Sequence, residues 1–277
     1  MIHILTDSTA DLTGEQCKDL NIETIPMYVQ VNGKMYKDGE DIEAHALFNT
    51  VERTGKYPTT SAPSPNDFLK FFNRKGKSLY LGVSSMLSAT IRNAKLALSE
   101  LGDRTVEIID SLSISSGYGQ IVLKAAAWRN EGMDFEELIQ RVQSLVRRSR
   151  GIVILDNLDY LYHGGRCSAI ENFVSSLLRI RPFLNLRPDG TLGVLQKVRG
   201  SRTKAVQVLL EFIKAQFISH DICSVTLTHL DCDDEVAYLT DEIKALRLPV
   251  EISTAKVGCV LATHSGPKPL GIAYCVD

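Results

Sequence analysis

The chain has 277 residues, a nearly balanced charge of 31 Lys and Arg against 33 Asp and Glu, and 44% hydrophobic residues. No basic block with interleaved aromatic residues is present, which argues against nucleic acid as a partner. No apolar run approaches the roughly 18 residues that a membrane span needs, and the start MIHILTDST lacks the pattern of a signal peptide. We therefore expect a cytoplasmic protein, long enough for two domains of ordinary size.

Neither a disulfide framework nor a cofactor is expected. The six cysteines, at 17, 167, 223, 232, 259 and 275, form no CxxC pair and are predicted to be reduced and mostly buried. HLDCDDE at 229–235 concentrates metal-ligand residue types, but the end of a strand followed by the acidic first turn of a helix explains it more simply. GxG at 117–119 lacks the third glycine of a dinucleotide fingerprint.

The first half of the chain repeats a unit of strand, polar turn and helix. Apolar runs at 2–5, 79–83 and 105–109 predict buried strands, and a hydroxyl-rich turn follows each, at 6–9, 84–90 and 110–116. Such repeats favour a largely parallel sheet flanked by helices, with the three turns at the carboxyl edge where ligands bind. Further predicted elements are a strand at 23–31 returning as a hairpin at 34–36, and helices at 43–53, from 68, at 120–130 and at 135–148.

The second half predicts a smaller, mixed unit. A junction at 156–165 divides the chain into an N-terminal α/β domain, 1–158, and a C-terminal mixed α/β domain, 159–277. The predicted elements of the second half are a helix after Arg166 that Pro182 stops, hairpin strands at 183–186 and 192–198, helices at 201–217 and 234–246, and strands at 223–229, 249–254 and 270–276. The fold class is therefore α/β with two domains.

The turn at 84–90 is the strongest candidate for a binding site. It carries four hydroxyls, at Ser84, Ser85, Ser88 and Thr90, just before a helix. Unpaired N–H groups and the positive end of the helix dipole suit such a turn to an anion. The alternative is that Ser88 and Thr90 only cap the helix.

Three more segments carry candidate anion ligands. Pro58, Pro63 and Pro65 stiffen the loop that holds Thr60 and Ser61. An arginine beside two glycines, Arg166, could meet a carboxylate in bidentate fashion or form an ordinary surface ion pair. A turn fixed by Gly266, Pro267 and Pro269 holds His264, either at the exposed surface or as a donor to a bound anion.

Taken together, the segments match a known family. The matching segments are TDSTADL at 6–12, Ile25-Pro26, YKDGEDI at 36–42, PTTSAPSP at 58–65, SSMLSAT at 84–90, IIDSLSISSGYG at 108–119, LYHGGR at 161–166 and THSGP at 263–267. In this order and over nearly the whole chain, the sequence resembles the DegV family. The resemblance implies a bacterial two-domain α/β protein, not itself an enzyme, that binds one long-chain fatty acid in a tunnel between helices.

The resemblance also implies a partner and a set of site residues. Such proteins are the fatty-acid-binding subunit of a fatty acid kinase and present the carboxylate to a separate ATP-dependent kinase, which makes acyl phosphate for phospholipid synthesis. Carried over, the family's TS-x-P threonine is Thr60 with Ser61 beside it, the LSGT serine is Ser88, the GGR arginine is Arg166, and the histidine of the H-x-G-P turn is His264. A transient contact with a membrane surface is a further expectation.

Two departures from the family pattern bear on this site. Ala89 replaces the usual glycine, and its methyl would be strained if the position needs a positive φ. Lys268 stands where a second glycine is common. The predicted carboxylate site is thus Thr60, Ser61, Ser85, Ser88, Ala89 and His264. We also expect Arg166 or Arg202, the latter at a basic exposed helix start, to help dock the kinase.

Two other functions stay open from the sequence alone. Ser85, Asp110 and His264 occur in the chain order of an α/β-hydrolase triad, although the nucleophile elbow around Ser84 has Gly82 before it and Met86 where a second glycine is needed. The same site could instead carry another amphiphilic acid. The sequence contains no Walker A loop or kinase lysine motif, so we do not expect this chain to transfer phosphate alone.

Overall fold

A four-stranded parallel sheet forms the centre of the first half. The computed structural model describes residues 1–102, 105–156, 158–166 and 180–276. The sheet consists of β1 (Ile2–Asp7), β2 (Ile22–Ile25), β6 (Lys77–Gly82) and β7 (Val106–Asp110), in the order β2-β1-β6-β7. All neighbouring strands are parallel, as predicted, so their carboxyl ends share one edge.

Helices cover both faces of this sheet. They are α1 (Gly14–Asp19), α2 (Ala44–Thr54), α3 (Pro65–Phe72), α4 (Thr90–Leu101), α5 (Ser116–Asn130) and α6 (Phe135–Arg148). On one face, α3 and α4 bury aromatic and alanine side chains against Tyr80. On the other, α5 and α6 complete the largest core cluster. Helix α5 begins four residues before the prediction. Its Gly119 packs so closely on the turn after β1 that a Cβ there would collide with the Ala10 carbonyl.

A small antiparallel sheet corrects two predictions. It contains β3 (Tyr28–Val31), β4 (Lys34–Lys37) and β5 (Thr59–Ser61), in the order β4-β3-β5. The single strand predicted at 23–31 is wrong: Pro26, which has no N–H to donate, separates β2 in the first sheet from β3 in this one. The predicted loop around Thr60 is also a strand, in which Thr60 pairs with Val29.

The second half is built on a mixed six-stranded sheet. Its strands are β8 (Ser149–Ile154), β9 (Ile180–Leu186), β10 (Leu192–Arg199), β11 (Ile222–His229), β12 (Glu251–Lys256) and β13 (Leu270–Val276), in the order β10-β9-β8-β13-β11-β12. Only the β11 and β12 pair is parallel. The mixed sheet confirms the predicted fold class. Strand β8 lies in this sheet, although it precedes residue 158 and so falls within the predicted first domain. The boundary between the two domains stays a prediction.

Four helices of the second half surround this sheet in the part of the chain that the structure describes. They are α7 (Asp159–His163), α8 (Arg202–Ser219), α9 (Asp233–Ala245) and α10 (Cys259–Ser265). Helices α8 and α9 bury one face of the sheet, while α5 bonds to its other side through Ser149 and Thr228. The helix predicted after Arg166, with Cys167, lies outside the described residues.

The cysteine and metal predictions can be compared with the structure where it describes them. Cys232, Cys259 and Cys275 are buried, whereas Cys17 is half-buried and Cys223 exposed. In HLDCDDE, β11 ends at residue 229 and α9 begins at residue 233, which confirms the strand and acidic helix start. Over the described ranges, no group of three or more metal-ligating side chains assembles, and no helix is long and apolar enough to cross a bilayer.

Candidate functional site

The three hydroxyl-rich turns meet at one edge of the parallel sheet, as predicted. Asp7, at the end of β1, accepts hydrogen bonds from the Val83 N–H at 3.0 Å and from the hydroxyls of Tyr80 at 3.1 Å and Tyr118 at 2.8 Å. Burial, with the Asp7 charge adding to it, raises the pKa of both tyrosines, which therefore stay neutral donors. The Ser84 N–H also donates to the Ser113 carbonyl at 2.9 Å. One buried carboxylate thus ties β1, β6 and α5 together.

Two further aspartates hold the start of α10, and sequence reasoning gave them no role. Asp11 accepts the Gly258 N–H at 2.9 Å, and Asp38 accepts the N–H groups of Cys259 at 2.8 Å and Val260 at 3.3 Å. Burial raises the pKa of Asp11 to about 8 and also raises that of Asp38. Both lie in segments that carry the family resemblance, TDSTADL and YKDGEDI. Their position in those segments was the available signal.

Held at its start by these aspartates, α10 carries His264 in its last turn. The prediction that His264 lies in a turn is wrong, because α10 continues through Ser265 and ends at Gly266, whose φ is 71°. The imidazole Nε2 lies 2.8 Å from the Thr60 hydroxyl, 204 positions away in the chain. Its Nδ1 is buried and has no hydrogen-bond partner among the described residues. The site therefore brings His264 and Thr60 together, as the resemblance implied.

The GGR segment supports His264 and adds a cation. Gly164 is packed against the imidazole so tightly that a Cβ there would collide with Nδ1. Arg166 donates to the carbonyls of Leu87 at 3.2 Å and Gly164 at 2.7 Å. Within the described ranges no carboxylate pairs with this guanidinium. Burial and the Arg166 charge lower the pKa of His264 to about 3, so the imidazole is neutral at pH 7.

A small cavity gathers these polar groups. Its empty volume is about 440 Å³, and its polar lining comes from Thr9, Thr60, Ser88, Arg166 and His264. The Ser88 hydroxyl lies 2.7 Å from that of Thr90, and the Thr90 N–H lies 3.3 Å from the Ser88 oxygen. The N-cap of α4 is Ala89, which makes no side-chain capping bond. Ser88 therefore bonds locally to Thr90 without capping the helix, and it also lies in the cavity wall. Hydroxyls, one cation and a neutral imidazole suit this cavity to a carboxylate.

A larger, mostly apolar cavity adjoins the small one. Its empty volume, which includes space open to solvent, is about 780 Å³. The two cavities share five lining residues, Ile114, Leu161, Leu192, Leu261 and His264. The hydroxyls of Ser116 and Thr228 also line it, but they hydrogen-bond to each other and so do not leave an unpaired polar group in the wall. The combined space is apolar with one polar end.

Three of the predicted site residues lie away from the polar end or differ from expectation. Ser61 and Ser85 are exposed, Ser61 because successive side chains of a strand point to opposite faces. Ala89 has φ of −74°. The position therefore accepts a methyl without backbone strain, and the concern about a positive φ is unfounded.

The exposed helix start expected at Arg202 is also wrong. Its side chain is 18% exposed and forms ion pairs with Asp156 at 3.0 Å and Glu235 at 3.4 Å. These partners come from remote parts of the chain, which spacing alone does not reveal. Arg166 and Arg202 thus differ, since Arg202 has carboxylate partners and Arg166 faces the small cavity.

The structure does not assemble the triad that a hydrolase would need. Ser85 approaches Asp110 through its backbone N–H, at 3.2 Å. The His264 ring instead forms a hydrogen bond with the Thr60 hydroxyl. Ser85, Asp110 and His264 therefore do not form the chain of hydrogen bonds that activates a serine nucleophile.

Fold and site together define a mixed α/β protein in which the six-stranded sheet and helices α5, α7 and α10 line an apolar cavity with a polar end. The chain belongs to the DegV family, since the model of the family described as "Uncharacterised protein, DegV family" matches residues 1–277. A DegV domain-containing protein of Caldanaerobacter subterraneus subsp. tengcongensis is 34% identical over 280 residues, covering 99% of this chain and 98% of the relative.

Solved structures share the fold over the whole chain. A DegV family protein from Thermus thermophilus, whose structure concerns fatty acid binding, has a TM-score of 0.92 and 31% identity, covering 100% of this chain and 99% of that one. The Streptococcus pneumoniae fatty acid kinase (Fak) B3 protein, loaded with linoleic acid, has a TM-score of 0.87 and 23% identity over 100% of both chains. At that identity the second likeness shows the fold alone.

Proposed function

We propose that this protein binds one long-chain fatty acid, with the acyl chain in the large cavity and the carboxylate in the small one. The observation that carries this proposal is the union of the two cavities, which share an apolar wall and end at Thr60, Ser88, Arg166 and His264. A long apolar chain with one anionic end has the same distribution of polarity. The fatty acid binding of the Thermus thermophilus relative supports the same ligand.

The acyl chain would supply most of the affinity. Each buried methylene contributes about 0.8 kcal/mol, so a long chain contributes on the order of 10 kcal/mol. A hydrogen bond to a charged group contributes roughly 1.5–3 kcal/mol. The polar groups of the small cavity therefore determine the orientation of the ligand. The carboxylate needs these hydrogen-bond donors chiefly because burying an unpaired charge is costly.

The neutral imidazole would orient the Thr60 hydroxyl toward the carboxylate. With the proton on Nε2, His264 donates to the Thr60 oxygen, and Thr60 is then free to donate its own hydrogen to the ligand. This leaves Nδ1 as an acceptor packed against Gly164, in agreement with its lack of a donor partner in the described residues. Arg166 would supply the compensating positive charge.

A matched pair of threonines tests the carboxylate site. Thr60 lines the small cavity, whereas Thr59, its neighbour in β5, is exposed. Thr60→Val should weaken fatty acid binding roughly tenfold or more, the loss of one hydrogen bond to a charged group. Thr59→Val should leave binding unchanged. Equal affinities of the two variants, measured by calorimetric titration with oleate, would contradict the assignment.

We further propose that the protein is the fatty-acid-binding subunit of a fatty acid kinase and works in the cytoplasm, where ATP is available. The fold that it shares with the Fak B3 protein supports a common architecture for that role. A carboxylate held by neutral donors and one cation stays ionised, as attack on a phosphoryl group requires. The kinase docking predicted for Arg166 or Arg202 stays a prediction.

Reconstitution tests the role in the kinase. The loaded protein is mixed with ATP and an ATP-dependent fatty acid kinase subunit, and acyl phosphate is trapped with hydroxylamine and quantified. Acyl phosphate should form only when both proteins are present. Formation at the same rate without this chain would overturn the accessory role while leaving fatty acid binding intact.

A further inference from the structure

The strand β8 presents one of its faces to the large cavity. Side chains alternate along a strand, and Ile152 and Ile154 point into the core under α8 and α9. Gly151, Val153 and Leu155, the last just past the end of the strand, belong to the opposite face and line the cavity, to which Ile152 also contributes. From Leu155 through Val153 to Gly151, the side chains on this cavity wall become smaller, and Gly151 has none.

Gly151 lies at the end of the cavity remote from the polar groups. Strand β8 runs toward α7 and Arg166, so Leu155 is near the polar end and Gly151 is about 13 Å further back, at roughly 3.3 Å per residue. Beyond Gly151, the Ser149 hydroxyl donates to the Gly117 carbonyl and joins β8 to α5. Gly117 also lines the cavity. The remote end is thus bounded by β8 and the first turn of α5.

A side chain at Gly151 would enter open space. The nearest atom to a Cβ built there is the Ile272 carbonyl oxygen, at 3.9 Å, and the backbone of Gly151 does not have a positive φ. Gly271, on the neighbouring strand β13, differs because its Cβ would lie 3.0 Å from the Ile152 carbonyl. Gly151 also pairs with another small residue, Ala273, in the same wall. The backbone therefore does not require glycine at position 151, and the space beside it belongs to the cavity.

We propose that Gly151 determines the longest acyl chain that the protein accepts, by leaving room for the last methylenes of the ligand. This inference rests on the proposed fatty acid binding and specifies its selectivity. A larger side chain at this position takes the place of the terminal carbons, so long ligands lose buried contacts and short ligands do not. Each methylene that can no longer be buried costs about fourfold in affinity.

The test compares Gly151→Leu with Gly14→Leu. Gly14 also has room for a Cβ, but it lies in α1 and does not line the cavity. Purified proteins, stripped of lipid, are offered equal amounts of stearate and myristate, and the bound acids are quantified by mass spectrometry. Gly151→Leu should lower the ratio of bound stearate to myristate roughly tenfold or more, and Gly14→Leu should keep the wild-type ratio.

A graded second variant keeps the test independent of folding. Gly151→Ala adds a single carbon and should shift the ratio in the same direction by a smaller factor. Wild-type protein that binds both acids, with unchanged ratios in both Gly151 variants, would overturn the inference and leave the proposed function intact. Wild-type protein that binds neither acid would overturn the proposed function and this inference with it.

Discussion

The two ends of α10 differ in how their polar groups are satisfied. At its start, the N–H groups of three consecutive residues, 258–260, donate to the buried carboxyl groups of Asp11 and Asp38. At its other end, the His264 ring makes one hydrogen bond, to Thr60, and its Nδ1 is buried without a partner in the described part of the chain. Helix α10 thus has one end at which the backbone N–H groups are hydrogen-bonded to carboxyl groups and another end that faces a cavity.

This difference separates two kinds of residue within the segments that mark the family. Asp11 and Asp38 are fully engaged by the protein itself, so their role is to fix α10 in place. Thr60, Arg166 and His264 surround empty space and retain capacity for a ligand. Segments with the same family signature therefore include both positioning residues and residues that we propose to bind the ligand, and the state of their hydrogen bonds tells them apart.

Among the substitutions, the largest effect is expected from Asp38→Ala. Its carboxylate accepts two N–H groups at the start of α10, and their burial without an acceptor should lower the free energy of unfolding by about 3 kcal/mol. Asp19→Ala, at an exposed position in α1, is the control and should change it by less than about 0.5 kcal/mol. Urea unfolding followed by circular dichroism measures both. Equal free energies of unfolding for the two variants would contradict the claim that Asp38 fixes the start of α10.

The second prediction concerns pH. Burial raises the pKa of Asp11 from 3.8 to about 8, so between these values the folded protein holds a proton that the unfolded chain releases. The free energy of unfolding should therefore fall as pH rises from about 4 to 8, by up to about 1.4 kcal/mol per pH unit from this group. Asp38, also raised by burial, adds to the same trend.

Asp11→Asn isolates the contribution of this one carboxyl group. The amide oxygen can still accept the Gly258 N–H, while the titrating proton is removed. Unfolding titrations at pH 5, 6, 7 and 8 should show a flatter profile for Asp11→Asn than for the wild type. Parallel profiles would mean that Asp11 does not hold its proton in the folded protein.

The smallest effect is expected just beyond the cavity-facing end of α10. Lys268 is exposed and has φ of 54°, a conformation that a lysine adopts at a cost and a glycine does not. Lys268→Gly should raise the free energy of unfolding by about 0.5–1 kcal/mol. Lys95→Gly, inside α4, should lower it by about 1 kcal/mol. Thermal unfolding of both variants checks whether their effects have opposite signs.

The parallel sheet and its carboxyl edge could be predicted because their signals are local. Apolar runs followed by hydroxyl-rich turns identify β1, β6 and β7 without knowledge of their neighbours. The convergence of Thr60, Ser88 and His264 was expected from the family resemblance, and the structure places all three around one cavity. Arg166, expected as an anion or partner contact, lines the same cavity.

What could not be predicted depends on contacts between remote parts of the chain. Helix α10 has no capping side chain of its own, because Asp38 caps it from 221 positions away. The segment around Thr60 is a strand only because it pairs with β3. Arg202 is engaged because folding brings Asp156 and Glu235 to it. Local spacing contains none of this information.

The most direct test of the account is mass spectrometry of the purified protein, first under native and then under denaturing conditions. The account predicts one fatty acid per chain under native conditions, released on denaturation, and reduced occupancy in Thr60→Val but not in Thr59→Val. Protein that carries no fatty acid and takes up neither added oleate nor added palmitate would contradict the assignment of the two cavities as a fatty acid site.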